Sequence, residues 1–171
     1  MRDRRFIVEH RGGLLPRDSH ACLAVWAADC AEVVIGFFAA HRDDPRPREA
    51  LATARRWANG EVKTGVAMKA SVAAHAAARE ATEPKAIAAA RAAAHAVATA
   101  HASDHSMGAL LYVMKALEAA GMDAGAEFKR QIQRLPEHLR EQVASGVSAR
   151  AGRLSIPEAP MAEGRETGTG G

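Results

Sequence analysis

Three histidines and an aspartate stand close together in the stretch HAVATAHASDH, which covers residues 95–105. Imidazole is a common metal ligand, and it is the side chain best suited to proton transfer near neutral pH. At 3.6 residues per turn, His95 and His101 point to different sides of a helix. Ser103-Asp104 has the composition of a helix cap before His105. We therefore expect a corner between two helices, with histidines that pair with carboxylates or backbone groups at the helix ends.

A metal site is the alternative interpretation of these histidines, and it requires a ligand from another helix. His75 is the first candidate, so the alternative ligand set is His75, His95, His101 and His105. Zinc sites have recognisable ligand spacings, and the sequence contains neither HExxH nor CxxC. We expect no metal and no other cofactor, and the alternative is a helical protein that binds a metal or a small molecule through this set.

Two neighbouring predicted helices each carry a pair of polar residues whose members are one helical turn apart. These pairs are His75 with Arg79 and Arg91 with His95. Antiparallel packing would bring the pairs together, and each buried charge would then need a partner. The candidate carboxylates are Glu80, Asp29 and Asp104. The arrangement predicts either an internal network that fixes the register of the helices or a polar pocket that receives an acidic group of a partner.

Asp44, Arg46 and Arg48 belong to the charged motif DDPRPR at residues 43–48. Arginine makes bidentate contacts with carboxylate or phosphate, so the motif is a candidate partner contact. Without interleaved aromatic residues it is weak evidence for nucleic-acid binding. The other interpretation is a set of Arg–Asp pairs that orient the turn between two helices.

No catalytic residues are predicted. The sequence lacks the phosphate-binding patterns GxGxxG and GxxxxGK[ST], and it lacks a serine nucleophile elbow. Cys22 and Cys30 lie roughly 12 Å apart along one predicted helix, too far for a disulfide bond. We expect free thiols, with Cys30 an inert core thiol on the apolar face.

The elements that must position these residues are helical. Hydrophobic residues make up 48% of the 171 residues and aromatic residues only 4%. About half of residues 66–102 are alanine, the residue with the highest helix propensity. The sequence predicts an all-α, single-domain bundle of six to seven helices with an alanine-rich core. We divide the chain into a basic N-terminal arm (1–17), a helical domain (18–147) and a flexible, disordered C-terminal tail (148–171).

Several helix ends are predicted from capping and stop residues. The first helix should begin after a cap at Asp18 or Ser19 and continue to about His41, and the fourth should end near Ala102. Leu135-Pro136 should kink the sixth helix or begin a seventh, which frays near Gly146.

The charge and hydropathy of the chain argue against two classes of partner. A formal net charge of +3 and a pI of about 9.2 fall short of the basic character of nucleic-acid binders. No window is apolar and long enough to span a bilayer, and the N-terminal sequence has no apolar core of a signal peptide. We expect a cytoplasmic protein that binds neither nucleic acid nor membrane. Alanine-rich helices associate readily, so a homodimer is compatible with the sequence.

Two blocks carry a family resemblance, RPREALATARRWANGE at residues 46–61 and RAAAHAVATAHASDH at residues 91–105. With AVWAADCAEVV and AHAAAREA, they cover about residues 18–120. The sequence resembles a bacterial immunity protein family whose domain is similar to the fifth class of polymorphic-toxin immunity proteins. The resemblance implies a small all-α protein that binds and neutralises a cognate protein toxin by occlusion, without catalysis.

Overall fold

The described part of the chain is all-helical. The computed structural model describes residues 3–151. Two 3-10 helices, Arg4–Phe6 and Glu9–Arg11, precede eight α-helices in this range. The α-helices are α1 (Arg17–Glu32), α2 (Ile35–His41), α3 (Arg46–Ala58), α4 (Thr64–Glu80), α5 (Pro84–Ala98), α6 (His105–Ala119), α7 (Ala124–Arg134) and α8 (Glu137–Ala151). Residues 3–151 contain no β-strand, only an isolated bridge between Val8 and Leu15. The all-α prediction is confirmed.

The predicted number of six to seven helices is too low. The segment predicted as one helix up to His41 is two helices, α1 and α2, which meet at a bend of 48°. The break falls at Val33-Val34, where two adjacent β-branched side chains lower the helix propensity. Pro136 separates α7 from α8, because proline is tolerated at the start of a helix and not in its interior.

Three predicted helix ends differ from the structure. Helix α1 begins at Arg17, directly after Pro16, so neither Asp18 nor Ser19 is its cap. Helix α5 ends at Ala98 rather than near Ala102. The last helix does not fray near Gly146 but continues to Ala151, so residues 148–151 of the predicted tail are helical. The rest of that predicted tail, residues 152–171, lies outside the described residues.

Helix α5 is the centre of the bundle. It packs against α1, α2, α3, α4 and α6. A helix with neighbours on so many sides must bury almost its whole circumference, and methyl side chains let the surrounding helices approach closely. Accordingly α5 buries mostly alanine, at positions 86, 88, 89, 90, 92, 93, 94, 96 and 98. The predicted alanine-rich core is therefore concentrated on this helix.

Larger side chains fix the outer helices to this centre. The indole Nε1 of Trp26 donates a hydrogen bond to the carbonyl oxygen of Gln131 at 2.8 Å, which ties α1 to α7. The segment before α1 also joins the core, because Phe6, Val8 and Leu15 are buried. This segment forms a loop, in which the backbone N–H of Leu15 donates a hydrogen bond to the carbonyl oxygen of Ile7 at 3.0 Å.

Within residues 3–151, no single helix has the length and apolar character needed to cross a membrane. Helices α1 and α2 meet that criterion only as a bent pair, judged by length and composition. Leu23, Trp26, Ile35 and Phe38 of this pair are buried in the core of the bundle.

Candidate functional site

The predicted histidine cluster is assembled by α4, α5 and α6. Helices α4 and α5 are joined by residues 81–83, and the Ser71 hydroxyl donates to the carbonyl of Ala94 at 3.0 Å across them. This contact requires the two helices to run antiparallel, as the sequence interpretation assumed. Helix α6 then returns along α5 after the corner at residues 99–104.

Three imidazole rings meet at this junction. The rings of His75 and His95 lie edge to face, with centroids 5.4 Å apart. The Nδ1 atoms of His95 and His105 are 3.2 Å apart, a hydrogen-bonding distance. On the other side the His95 ring stacks on Tyr112, with centroids 5.2 Å apart and planes 20° apart. The predicted pairing of His75 with His95 is present, and the contribution of Tyr112 is an addition that sequence reasoning missed.

Gly108 makes room for the His95 ring. A Cβ atom at this position would stand 2.7 Å from His95 Nδ1, which is closer than side-chain atoms pack. The α6 backbone therefore approaches the imidazole so closely that only hydrogen fits between them. This glycine lies in the middle of a helix, where it costs about 1 kcal/mol relative to alanine, so its position is explained by the ring.

Two histidines of the cluster, His95 and His75, have lowered pKa values. Burial, reinforced by electrostatic repulsion from His105, His75 and Arg91, lowers the pKa of His95 from 6.5 to about 3. Burial, followed by Arg91, Arg79 and His105, also lowers the pKa of His75. At neutral pH, the contact between His95 and His105 therefore consists of one N–H donor and one nitrogen acceptor.

Two of the three candidate carboxylates, Asp29 and Glu80, pair with arginines outside this cluster. Asp29 accepts from Arg55 at 2.8 Å, and Glu80 accepts from Arg46 at 2.8 Å. Asp104 faces Arg150 of α8 at 3.5 Å. Each carboxylate is drawn to a guanidinium group, a stronger partner than a buried imidazole.

The alternative metal set does not assemble. His101 is exposed and lines a separate cleft with Arg11, so it does not complete a site with His75, His95 and His105. Among residues 3–151, no group of three or more histidine, cysteine, aspartate or glutamate side chains is arranged to hold a metal ion. Ring stacking and a hydrogen bond account for the geometry of His95.

The two arginines predicted beside the histidines have different environments. Arg91 is half-buried, and its guanidinium carbon lies 5.8 Å from the centroid of the Tyr112 ring, in cation–π range. Arg79 is exposed on α4. The cluster therefore combines the imidazole rings with the Tyr112 ring and the Arg91 guanidinium group at the junction of three helices.

Asp44 and Arg46 form a bridge with Glu80 that joins the start of α3 to the end of α4. The Arg46 Nε donates to both carboxylate oxygens of Asp44, at 2.9 and 3.0 Å, and its Nη2 donates to Glu80 at 2.8 Å. Hydrogen bonding to Arg46 lowers the pKa of Asp44. Arg48 differs, because it is exposed and its contact with Glu32 is 3.8 Å long. The structure thus brings Asp44 and Arg46 into one network and leaves Arg48 on the surface.

Both cysteines are free thiols, as expected. Cys30 is buried, donates weakly to Gln131 Oε1 at 3.5 Å, and has a pKa raised well above 9.0 by that burial. Cys22 is half-buried, and burial raises its pKa as well. Neither thiol has the lowered pKa of a nucleophilic cysteine.

An open cleft of about 690 Å³ lies where the N-terminal segment meets α1, the α3–α4 turn and the end of α5. We call it the basic cleft. Its wall and floor include Trp57, whose Nε1 donates to the hydroxyl of Thr64 at 3.1 Å. The Trp57 ring rests against His20, with centroids 4.9 Å apart. The other lining residues used below are Glu9, His10, Arg11, Arg17, Lys63 and His101.

Two backbone carbonyls at the end of α5 are covered by side chains of this cleft. His20 Nε2 lies 2.6 Å from the carbonyl oxygen of Thr99, and Arg11 donates to that of His101 at 3.2 Å. Burial, opposed by the Thr99 contact, lowers the pKa of His20. Sequence reasoning missed the basic cleft, because its residues come from three distant parts of the chain, residues 8–21, 57–64 and 100–101. The sequence offered one signal for this cleft, the cationic residues on both sides of Trp57.

Comparisons with known proteins give one result. The model of the family described as "Imm-5 like putative immunity protein" matches residues 13–138. No curated protein and no solved structure matches the chain.

Proposed function

We propose, since the chain belongs to the Imm-5-like family of immunity proteins, that it binds a cognate bacterial toxin and neutralises it. The toxin would belong to a polymorphic toxin system, and binding would take place in the bacterial cytoplasm. Neutralisation would be steric and electrostatic, by occlusion of the toxin surface, with no catalytic step. The family match over residues 13–138 is the observation that carries this proposal.

A preformed binding surface supports neutralisation by occlusion. Tight association requires that little conformational entropy is lost on binding, and a rigid scaffold meets this requirement. The central α5 is packed on five sides, and the outer helices are tied by contacts such as the Trp26–Gln131 hydrogen bond. The protein therefore presents exposed residues from fixed helix positions.

The residues predicted as partner contacts divide into two groups. Arg48 and Arg79 are exposed, so both are available to a toxin. Asp44 and Arg46 are engaged in the α3–α4 bridge, and His75, Arg91 and His95 are half-buried in the histidine cluster. We retain Arg48 and Arg79 as candidate contacts and assign structural roles to the other five.

Co-expression with the toxin domain encoded beside the gene for this chain tests the proposal. We expect cells that produce the toxin alone to die and cells that also produce this chain to survive. A Leu111→Asp variant is the control, because Leu111 is 1% exposed and a buried charge there should prevent folding and protection. Light scattering on the co-purified complex would give its stoichiometry and report whether this chain dimerises. Death at the same rate with and without the wild-type chain, together with no co-purified complex, would refute the proposal.

A further inference from the structure

The basic cleft is lined by more cationic than anionic side chains. Glu9 contributes one carboxylate, against the guanidinium groups of Arg11 and Arg17 and the ammonium group of Lys63. Arg17 and Lys63 are exposed, and neither forms an ion pair within residues 3–151. Unpaired cations around a concavity produce a focused positive potential, which attracts an anionic group.

The backbone adds to this potential. Arg17 is the first residue of α1 and Thr64 is the first residue of α4, so two helix N-termini border the cleft. Helix N-termini carry partial positive charge. The carbonyls of Thr99 and His101, which would repel an anion, already have partners in His20 and Arg11.

The aromatic surface distinguishes this cleft from a simple basic patch. Trp57 is half-buried, and its orientation is fixed by Thr64 on one side and by the His20 ring on the other. A fixed, partly exposed indole offers apolar contact area at low entropic cost, and tryptophan is a frequent energetic hot spot in protein interfaces. The cleft thus combines apolar contact with surrounding positive charge.

We propose that the basic cleft binds an acidic segment of a partner protein, in which carboxylate side chains meet Arg17 and Lys63 and a neighbouring apolar side chain packs on Trp57. The cleft is open and has a volume of about 690 Å³, which is large enough for several residues of an extended chain. Under the proposed function the segment belongs to the toxin, so the identity of the partner rests on that proposal. The preference of the cleft for an acidic segment is argued from its own residues and is independent of the proposed function.

Peptide binding to the purified full-length chain tests the chemistry directly. The probe is hexaglutamate, acetylated and amidated at its ends, followed through the two tryptophan indole N–H signals in NMR. Trp26 is 5% exposed and Trp57 lines the cleft, so only the Trp57 signal should shift, and a Trp57→Phe variant assigns it. Affinity should fall as salt rises, because screening weakens contacts between exposed charges.

Matched charge variants identify the site of binding. The double variant Arg17→Gln/Lys63→Gln should weaken hexaglutamate binding at least tenfold. The control Lys69→Gln/Lys129→Gln removes two exposed cations outside the cleft and should change affinity less than twofold. Equal weakening by both pairs would overturn the proposal, as would an unshifted Trp57 signal. Tighter binding of decathymidylate than of hexaglutamate would also overturn it, in favour of a nucleic-acid ligand.

The co-expression assay separates this inference from the proposed function. If the wild-type chain protects cells and Arg17→Gln/Lys63→Gln protects them equally well, a toxin segment in the cleft is refuted and the immunity function stands. If the wild-type chain gives no protection, the immunity function is refuted, while hexaglutamate binding still decides whether the cleft takes an acidic peptide.

Discussion

The Nδ1 atoms of His95 and His105 face each other at 3.2 Å, so one ring must supply the proton that the other accepts. Two protonated rings would place two N–H groups against each other and would bring two positive charges together. The backbone at Gly108 lies close against the His95 ring, and the Tyr112 ring stacks on it. The junction of α4, α5 and α6 therefore depends on the neutral state of His95.

The first prediction concerns acid stability. His95 has a pKa of about 3 in the folded chain and an ordinary value of 6.5, so between these values the unfolded chain binds a proton that the folded chain does not. The free energy of unfolding should therefore fall as pH falls below 6.5. The contribution of His95 is about 2 kcal/mol between pH 6.5 and pH 5. Urea unfolding across this range measures the slope.

A His95→Gln variant should show a smaller slope than the wild type. His20 and His75 also have lowered pKa values, so part of the slope should remain. The exposed His101 provides the control, and His101→Gln should keep the wild-type slope. Identical slopes for His95→Gln and the wild type would contradict the assignment to His95.

The second prediction compares two helical glycines. Gly108→Ala should destabilise the protein by about 1–3 kcal/mol, because the new methyl group forces the His95 ring away from His105 and Tyr112. Gly36→Ala is the control, since a Cβ there meets nothing within 4 Å and should add up to about 1 kcal/mol through helix propensity. Thermal or urea unfolding gives both values. A stabilising Gly108→Ala would show that the ring is not held by the α6 backbone.

The third prediction concerns the thiols. Cys22 is half-buried and Cys30 is buried, and burial raises the pKa of both. In the native protein at pH 8, Ellman's reagent should modify Cys22 slowly and leave Cys30 unmodified, whereas both should react at once in urea. Cys22→Ser should abolish the native reaction and Cys30→Ser should retain it. Rapid modification of two thiols in the native state would contradict the packing of α1 against α7.

The fourth prediction separates two neighbouring arginines. Arg46→Lys should lower the urea midpoint, because an ammonium group cannot reproduce the forked contacts with Asp44 and Glu80. Arg48→Lys should leave the midpoint unchanged, since Arg48 is exposed and has one long contact with Glu32. In the co-expression assay, Arg48→Lys should reduce protection more than its stability explains. Arg46→Lys should reduce protection only as far as it lowers stability. Equal midpoints for both variants would remove the structural role assigned to Arg46.

Local sequence signals predicted most of the helical elements. Asp123 accepts a hydrogen bond from the backbone of Ala126 at 2.9 Å and so caps α7 as a helix start should. Gly60 and Gly121 end α3 and α6 with positive φ values of 78° and 71°. The break at Val33-Val34 was missed because apolar periodicity continues across it, and beyond the break α2 packs on α5.

The histidine cluster could be predicted only in part, for a physical reason. The pairing of His75 with His95 follows from the short turn between α4 and α5. The contacts of His105 and Tyr112 depend on the rotation of α6 about its own axis, which periodicity does not determine. The pairing of Asp29 and Glu80 with arginines of α3 was not anticipated, because these arginines become neighbours of the two carboxylates only on folding.

The hydrophobic core extends past both ends of the segment that matches the family model, residues 13–138. Phe6 and Val8 precede residue 13 and are 2% and 6% exposed, and Val143 and Val147 follow residue 138 and are fully buried. A Cβ on Gly146 would collide with the Met107 sulfur, so α8 lies close against α6. A chain shortened to the matched segment would thus expose apolar side chains at both ends, and its aggregation would say nothing about toxin binding. Fragment boundaries for expression should follow the core rather than the sequence similarity.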